Sequence, residues 1–256
     1  MLFAVDIGNT STVVGVLDGE SLRASWRFGT DVHKLADEYA AALLNLFSLK
    51  GLAFADIDRA IISSSVPPVV TTFEELCRQY FSTSPLVVGP GIKTGVRVAI
   101  DNPREVGADR VVNAAAGHRL YGGPLVVIDL GTATTFDAVS EEGDYLGGAI
   151  APGIGISAEA LFEHTAKLPR VELVRPKKAI GRSSVSAMQS GIIFGYVGLI
   201  EGIVARMRRE LGGKAKVIVT GGLAGVIASE TDIIDAIEPD LAMIGLGIIH
   251  ELNAER

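Results

Sequence analysis

The sequence predicts an α/β protein built from one βββαβα unit used twice, with a cleft between the two copies. Three observations carry that prediction. A phrase near the start, DIGNTSTVVGV (Asp6 to Val16), returns at mid-chain as DLGTATTFDAV (Asp129 to Val139). Aligned without a gap, the two match at Asp6/Asp129, Ile7/Leu130, Gly8/Gly131, Thr12/Thr135 and Val16/Val139. The hydropathy patterns after each phrase also run in the same order, and 256 residues suffice for two domains of about 120 residues each. Chance identity among common residues would explain the phrases alone; the shared strand order argues for duplication.

Residues 2–6, 12–18 and 23–28 alternate or run apolar between Gly, Asn, Asp and Ser turns, which predicts a three-stranded meander. HKLADEYAAALLNLFSLK places Leu35, Tyr39, Ala42, Leu43, Leu46 and Phe47 at helical spacing. IDRAIISSSV reads as a buried strand. Pro67 and Pro68 stop it and suit the first turn of a helix running to Phe81. PLVVG is a further short strand. The second half repeats the scheme, with strands at 124–129, 133–140 and 144–150 and a helix from about Ile156. A long helix over 183–211, a strand at 215–220, a helix after GGLAG and a last helix at 241–252 follow. The expected division is 1–118 and 119–256.

Composition narrows the function. Apolar residues make up 48% of the chain and mean hydropathy is +0.37, so disorder is not expected. Thirty acidic against 23 basic residues leave a net charge of −7, which disfavours a nucleic-acid surface. Phosphate ligands remain open, because backbone N–H groups and metal ions hold them without net positive charge. A single cysteine, Cys77, excludes an intrachain disulfide and fits a reducing cytoplasm. MLFAVD lacks a basic segment and a long apolar run, so no signal peptide is expected. The apolar run 191–200 is too short to span a bilayer.

The chemistry is expected at the repeated phrase. An Asp ending a strand, followed by Gly and small hydroxyl residues, makes a tight hairpin with outward backbone N–H groups. Gly8 allows the close approach or positive φ such a turn needs, and Thr10, Ser11 and Thr12 add hydroxyls. Asp6 could hold hydrated Mg²⁺ against phosphate oxygens. Either hairpin alone could be an ordinary turn; two of them suit a nucleotide gripped from both sides. Other nucleotide motifs are missing. GGKAK near Lys214 is not a P-loop, and GPGIKTG at 89–95 misses the dinucleotide spacing. The four histidines have no metal-ligand spacing. Gly221 and Gly222 in VIVTGGLAG could let a nucleoside lie against backbone.

The hairpin pair and the late Gly-Gly turn resemble the acetate kinase, sugar kinase, Hsp70 and actin superfamily, which implies ribonuclease-H-like domains in an actin-like ATPase fold. Within it, DIGNT, DNPREVGADRVVNA, DLGTATTFD, GGAIAPGIGIS, GRSSVSAMQSG and VTGGLA resemble type III pantothenate kinase over nearly the whole chain. The resemblance implies ATP-dependent phosphorylation of pantothenate to 4'-phosphopantothenate, the first step towards coenzyme A. It implies an ATP-phosphate loop made of Asp6, Ile7, Gly8, Asn9, Thr10, Ser11, Thr12 and Val13, with Thr132 also touching ATP. Gly107, Ala108, Asp109 and Arg110 would contact pantothenate, with Asp109 as proton acceptor. Asp129 would bind the monovalent cation, K⁺ or NH₄⁺, beside the Mg²⁺ of ATP.

Two positions depart from the family's commoner residues. Ser184 stands where Thr is usual and keeps the hydroxyl; Ile100 stands where Tyr is usual and puts that substrate contact in doubt. Read from the residues alone, Asp109 precedes a helical stretch and is equally an N-cap, a role compatible with catalysis. The resemblance also implies a homodimer with pantothenate and ATP as its small-molecule partners. Gly191, Gly195, Gly198 and Gly202 on the long helix offer a close-packing face, with packing inside the subunit as the alternative. The competing functions are a non-catalytic regulatory accessory protein of the same family and a sugar or acetate kinase. The intact set Asp6, Asp109, Asp129 and Thr132 favours the enzyme over the first, and NPREVGADR favours it over the second.

Overall fold

The computed structural model describes residues 1–254. The chain begins with β1 (Leu2–Ile7), β2 (Ser11–Asp18), β3 (Ser21–Gly29), α1 (Ala36–Leu49), β4 (Arg59–Ser64), α2 (Pro67–Tyr80), β5 (Leu86–Val87) and α3 (Ala108–Tyr121). It continues with β6 (Leu125–Leu130), β7 (Ala133–Val139), β8 (Tyr145–Pro152), α4 (Ile154–Glu163), α5 (Ser184–Glu210), β9 (Lys216–Thr220), α6 (Ala224–Ala228), β10 (Ala236–Ile237) and α7 (Leu241–Ala254). The expected elements are all present, and β10 is an addition that two residues of pattern could not announce.

The duplication is a property of the topology. One sheet has the order β3-β2-β1-β4-β5 and the other β8-β7-β6-β9-β10. In each, the first three strands pair antiparallel and the last two add in parallel. The middle strands are buried on both faces, so LFAVDI and LVVIDL read as nearly continuous apolar runs. Edge strands β3 and β8 alternate instead, with one wet face.

The alignment after the turn needs one correction. Thr12 pairs with Ile7, leaving Gly8 to Ser11 in the first turn, whereas Thr134 pairs with Leu130, leaving only Gly131 to Ala133 in the second. The second turn is therefore one residue shorter. Thr12 corresponds to Thr134, not Thr135, and Leu17 to Val139. The bulges agree with this register, falling at Val16/Leu17 and Ala138/Val139.

The chain separates into two compact units. The first comprises Met1–Arg97, Asp101–Ala116 and the residues from Leu241; the second comprises Val98–Ile100 and Gly117–Asp240. The division differs from the expected 118/119 boundary, which falls inside α3, and it assigns α7 to the first unit. The reason is packing: Met243, Leu246 and Ile249 of α7 share a buried cluster with Leu2, Ala4 and Ile61 of the first sheet. Gly245 lets α7 lie against α3, because a Cβ there would stand 2.3 Å from the Val112 carbonyl oxygen.

The other face of the first sheet is covered by α1 and α2, with an aromatic cluster that includes Phe3, Tyr39, Phe47, Phe73 and Phe81. Each fully buried ring is worth about 1.5–3 kcal/mol. Pro67 and Pro68 open α2 as expected, where a missing N–H costs nothing. In the second unit, α5 lays Met188, Ile192, Tyr196, Ile200 and Val204 on Val126, Ile128 and Leu130. By length and composition alone α5 could cross a membrane. Its buried apolar stripe explains that composition as core packing.

Candidate active site

In the first unit the candidate residues sit at the carboxyl end of β1 and the start of α3. Asp6 is half-buried and lies on the face of the sheet that α3 and α7 cover, opposite Val13 of β2 and Ser63 of β4. The Gly8–Ser11 turn is closed by the Gly8 N–H on the Ser11 carbonyl at 3.1 Å. A Cβ on Gly8 would stand 3.0 Å from that oxygen, so the glycine serves close approach rather than positive φ. Thr30 buttresses the turn, its hydroxyl donating to the Gly8 carbonyl at 2.7 Å and lying 2.9 Å from Thr12 Oγ1. The Arg27 guanidinium donates to Ser11 Oγ at 3.1 Å. Asn9 and Thr10 at the tip are exposed. The loop is thus held from behind while its tip faces solvent.

Gly107, Ala108, Asp109 and Arg110 are half-buried at the start of α3. The Gly107 carbonyl accepts from the Val111 N–H, which makes Gly107 the N-cap and puts Asp109 in the first turn. The N-cap role expected for Asp109 is therefore Gly107's. Asp109 Oδ1 accepts the Arg110 N–H at 2.9 Å, which fixes the carboxylate on the helix N-terminus, where its negative charge is favoured. A Cβ on Gly107 would stand 2.3 Å from that same oxygen. Glycine at 107 is what leaves Asp109 room to hold this position.

In the second unit, Asp129 is the last residue but one of β6, half-buried, with Thr135 of β7 and Thr220 of β9 directly opposite on either side. Its Oδ1 leans over the turn, 3.5 Å from where a Gly131 Cβ would be. The turn closes through the Gly131 N–H on the Ala133 carbonyl at 3.1 Å. Thr132 is exposed, and its carbonyl accepts the Gly153 N–H at 3.1 Å.

Gly221 follows β9 with φ +98°, and a Cβ there would meet the Leu130 carbonyl oxygen at 2.6 Å. The packing of β6 thus accounts for that glycine, while Gly222 is exposed with open space around it. Asp129, Thr132 and the Gly-Gly turn share one end of the second sheet. Ser184 is exposed at the first position of α5, after Ser183, whose hydroxyl caps the helix by accepting the Ser186 N–H at 3.2 Å. Ile100 lies against Gly147 of β8. Among the described residues no three His, Cys, Asp or Glu side chains gather as a metal-ligand cluster.

Sequence reasoning passed over Asp137. This carboxylate is wholly buried, accepting from Tyr145 Oη at 2.9 Å and from Thr135 Oγ1 at 3.3 Å. The available signal was a Thr-x-Asp pair on alternate residues of a strand, both on the face that Asp129 occupies.

Comparison with known proteins gives three findings. The profile of a family described as type III pantothenate kinase matches residues 2–206. A type III pantothenate kinase from Geobacillus is 54% identical over 256 residues, covering 100% of this chain and 99% of its own. One from Dehalococcoides mccartyi is 55% identical over 252 residues, covering 98% of each. Among solved structures, a chain described as a Baf family transcriptional activator from Campylobacter jejuni aligns with TM-score 0.62 at 20% identity, covering 99% of this chain and 100% of its own. The activator of 2-hydroxyisocaproyl-CoA dehydratase from Clostridium difficile, solved with bound ADPNP, aligns with TM-score 0.53 at 12% identity, covering 99% and 96%. Identities this low establish a shared fold and nothing further.

Proposed function

The chain belongs to the type III pantothenate kinase family and phosphorylates pantothenate on the way to coenzyme A, and from that premise we propose how its residues divide the work. The turn from Asp6 to Val13 binds the phosphates of ATP through its exposed tip, and Thr132 and the Gly221–Gly222 turn contact the nucleotide. Asp6 is the residue that would hold a divalent ion together with phosphate oxygens. That ion supplies neutralisation of charge on the transferring phosphoryl group. No larger carboxylate cluster is needed for this.

Gly107, Ala108, Asp109 and Arg110 bind pantothenate, and the Ser184 hydroxyl adds a contact. Arg110 can pair with the substrate carboxylate. Asp109 accepts the hydroxyl proton as the pantothenate oxygen bonds to the γ-phosphorus and the bond to the ADP oxygen breaks. The observation that carries this reading is the Asp109 carboxylate, pinned by the Arg110 N–H beside a residue with no side chain. Asp129 holds a monovalent cation; its neighbours across both strands are threonines, and an all-oxygen set suits a hard cation.

We further propose a homodimer through α5. Gly191, Gly195 and Gly198 are exposed, and no atom stands within 4 Å of where their Cβ atoms would be. The alternative, packing of these three glycines inside the subunit, therefore finds no support, and light scattering should give about twice 26.8 kDa. A buried, reduced Cys77 suits a cytoplasmic enzyme.

The test is a coupled ADP-release assay. Release should need pantothenate, not a sugar or acetate, and should be faster in K⁺ than in Na⁺ at equal ionic strength. Asp109→Asn should lose about 10²–10⁴-fold in kcat while its melting temperature stays near wild type. A turnover near wild type would remove Asp109 from the chemistry, and equal rates in the two salts would remove the cation from Asp129.

A further inference from the structure

The duplicated fold provides an internal control. With the one-residue difference in the turns, Val13, Gly15 and Leu22 of the first unit correspond to Thr135, Asp137 and Tyr145 of the second. In the first unit this trio is apolar. A Cβ on Gly15 would meet Leu22 Cδ1 at 3.2 Å and Met243 Sδ at 2.7 Å. In the second, the same three backbone positions carry a hydroxyl, a carboxylate and a phenol in one hydrogen-bonded chain. Asp137 and Tyr145 are 0% and 1% exposed. Burying a carboxylate is costly even when its oxygens are satisfied, and the first unit shows that the hairpin stands without it. The polar trio therefore serves something other than the fold.

Its outer end identifies what. Thr135 is opposite Asp129 across β6 and β7, where directly paired residues have Cβ atoms about 4.5–5.5 Å apart. A threonine there could donate its hydroxyl hydrogen to the Asp129 carboxylate. Instead that hydrogen goes to Asp137 Oδ2, and Tyr145 Oη occupies Oδ1. Thr135 thereby keeps its oxygen lone pairs, and a hydroxyl and a carboxylate on directly paired residues are an oxygen pair suited to a hard cation. Asp6, in the equivalent place, has Val13 opposite and no such oxygen.

We propose that Thr135 Oγ1 is a ligand of the monovalent cation at Asp129, and that Asp137 and Tyr145 are positioning residues that turn its lone pairs towards the ion. This rests on the reading of Asp129 as the cation's carboxylate. Partners one layer behind a metal ligand typically govern affinity by about 10–100-fold, so their loss should be read in the cation titration.

The experiment titrates K⁺ against Na⁺ at constant ionic strength in wild type, Thr135→Val, Thr135→Ser and Asp137→Asn. Two readouts are followed. One is the melting temperature with a non-hydrolysable ATP analogue and Mg²⁺; the other is the half-activating K⁺ concentration against KM for ATP. Thr135→Val should raise the half-saturating K⁺ by about tenfold or more in both readouts, leaving the Na⁺ melting temperature and the ATP KM near wild type. Thr135→Ser should titrate as wild type, and Asp137→Asn should shift by about tenfold.

A valine variant that titrates as wild type overturns the ligand assignment. An Asp137→Asn protein that melts lower in Na⁺ with unchanged K⁺ half-saturation overturns the positioning role. If Asp137→Asn does not fold, Tyr145→Phe replaces it, and an unmoved titration there has the same force. A wild type indifferent to K⁺ in both readouts overturns the Asp129 reading itself, and this proposal with it.

Discussion

Replacing Gly107 by alanine moves the proposed base without removing it. The new Cβ would stand 2.3 Å from Asp109 Oδ1, against 3.4 Å for an ordinary contact, so the carboxylate must retreat by about 1 Å. The retreat itself is cheap, because the obstructing atom is the end of a side chain. Its costs are the bond from the Arg110 N–H, about 1 kcal/mol, and the poorer N-cap that alanine makes, again about 1 kcal/mol. Together these lower the melting temperature by several degrees in a chain of this size.

The effect on rate should be larger. A misplacement of about 1 Å at a reacting group costs roughly 10²-fold, or about 2.7 kcal/mol of barrier. Initial rates with saturating ATP and pantothenate, run beside a thermal melt of the same preparation, should therefore show kcat down about 100-fold with the ATP KM unchanged and the protein folded. A folded Gly107→Ala enzyme within about threefold of wild-type kcat would refute the reasoning, since a base that tolerates such displacement is not positioned for proton transfer.

Gly221→Ala should fail differently, by about 2–5 kcal/mol of stability, because both the positive φ and the fixed Leu130 backbone 2.6 Å away oppose a side chain; soluble yield and melting temperature check it. Burial pushes the Cys77 thiol up to about 12, so it should resist a thiol reagent at pH 8 in the native protein and react only after denaturation. His250 is held below its ordinary value of 6.5 by burial first and by the charge of Arg59 second. The unfolded chain thus binds more protons than the native one as pH falls through 6.5, and stability present above that pH is lost towards the lower folded value. His250→Gln should flatten this acid limb in pH-dependent denaturant melts.

The strand order of both halves was legible because buried central strands and amphipathic helices carry distinct periods, and because an Asp-x-Gly turn repeats. The register beyond the second turn was not. Thr134 and Thr135 are adjacent identical residues, so an ungapped alignment finds a match whichever of them is equivalent to Thr12. Only strand pairing reveals the missing turn residue. The place of α7 was also illegible, since an apolar helix at the end of a sequence does not say which sheet it will cover. At the site, Asp109 and Asp129 stood out through the phrases they belong to. Asp137 did not, because a strand carboxylate reads as solvent-facing until its two hydroxyl partners are seen.

The assignment of α7 to the first unit bears on the order in which the chain can fold during synthesis. Residues 1–97 leave the ribosome long before residue 241 is made, yet Leu2, Ala4 and Ile61 share their buried cluster with Met243, Leu246 and Ile249. Through the synthesis of the whole second unit, the first sheet waits with this apolar face incompletely covered, a state open to aggregation or chaperone capture. A truncation before Leu241 would make that state permanent. The damage would fall on the half of the protein that was synthesised first, with the Asp6 turn and Asp109 housed in it.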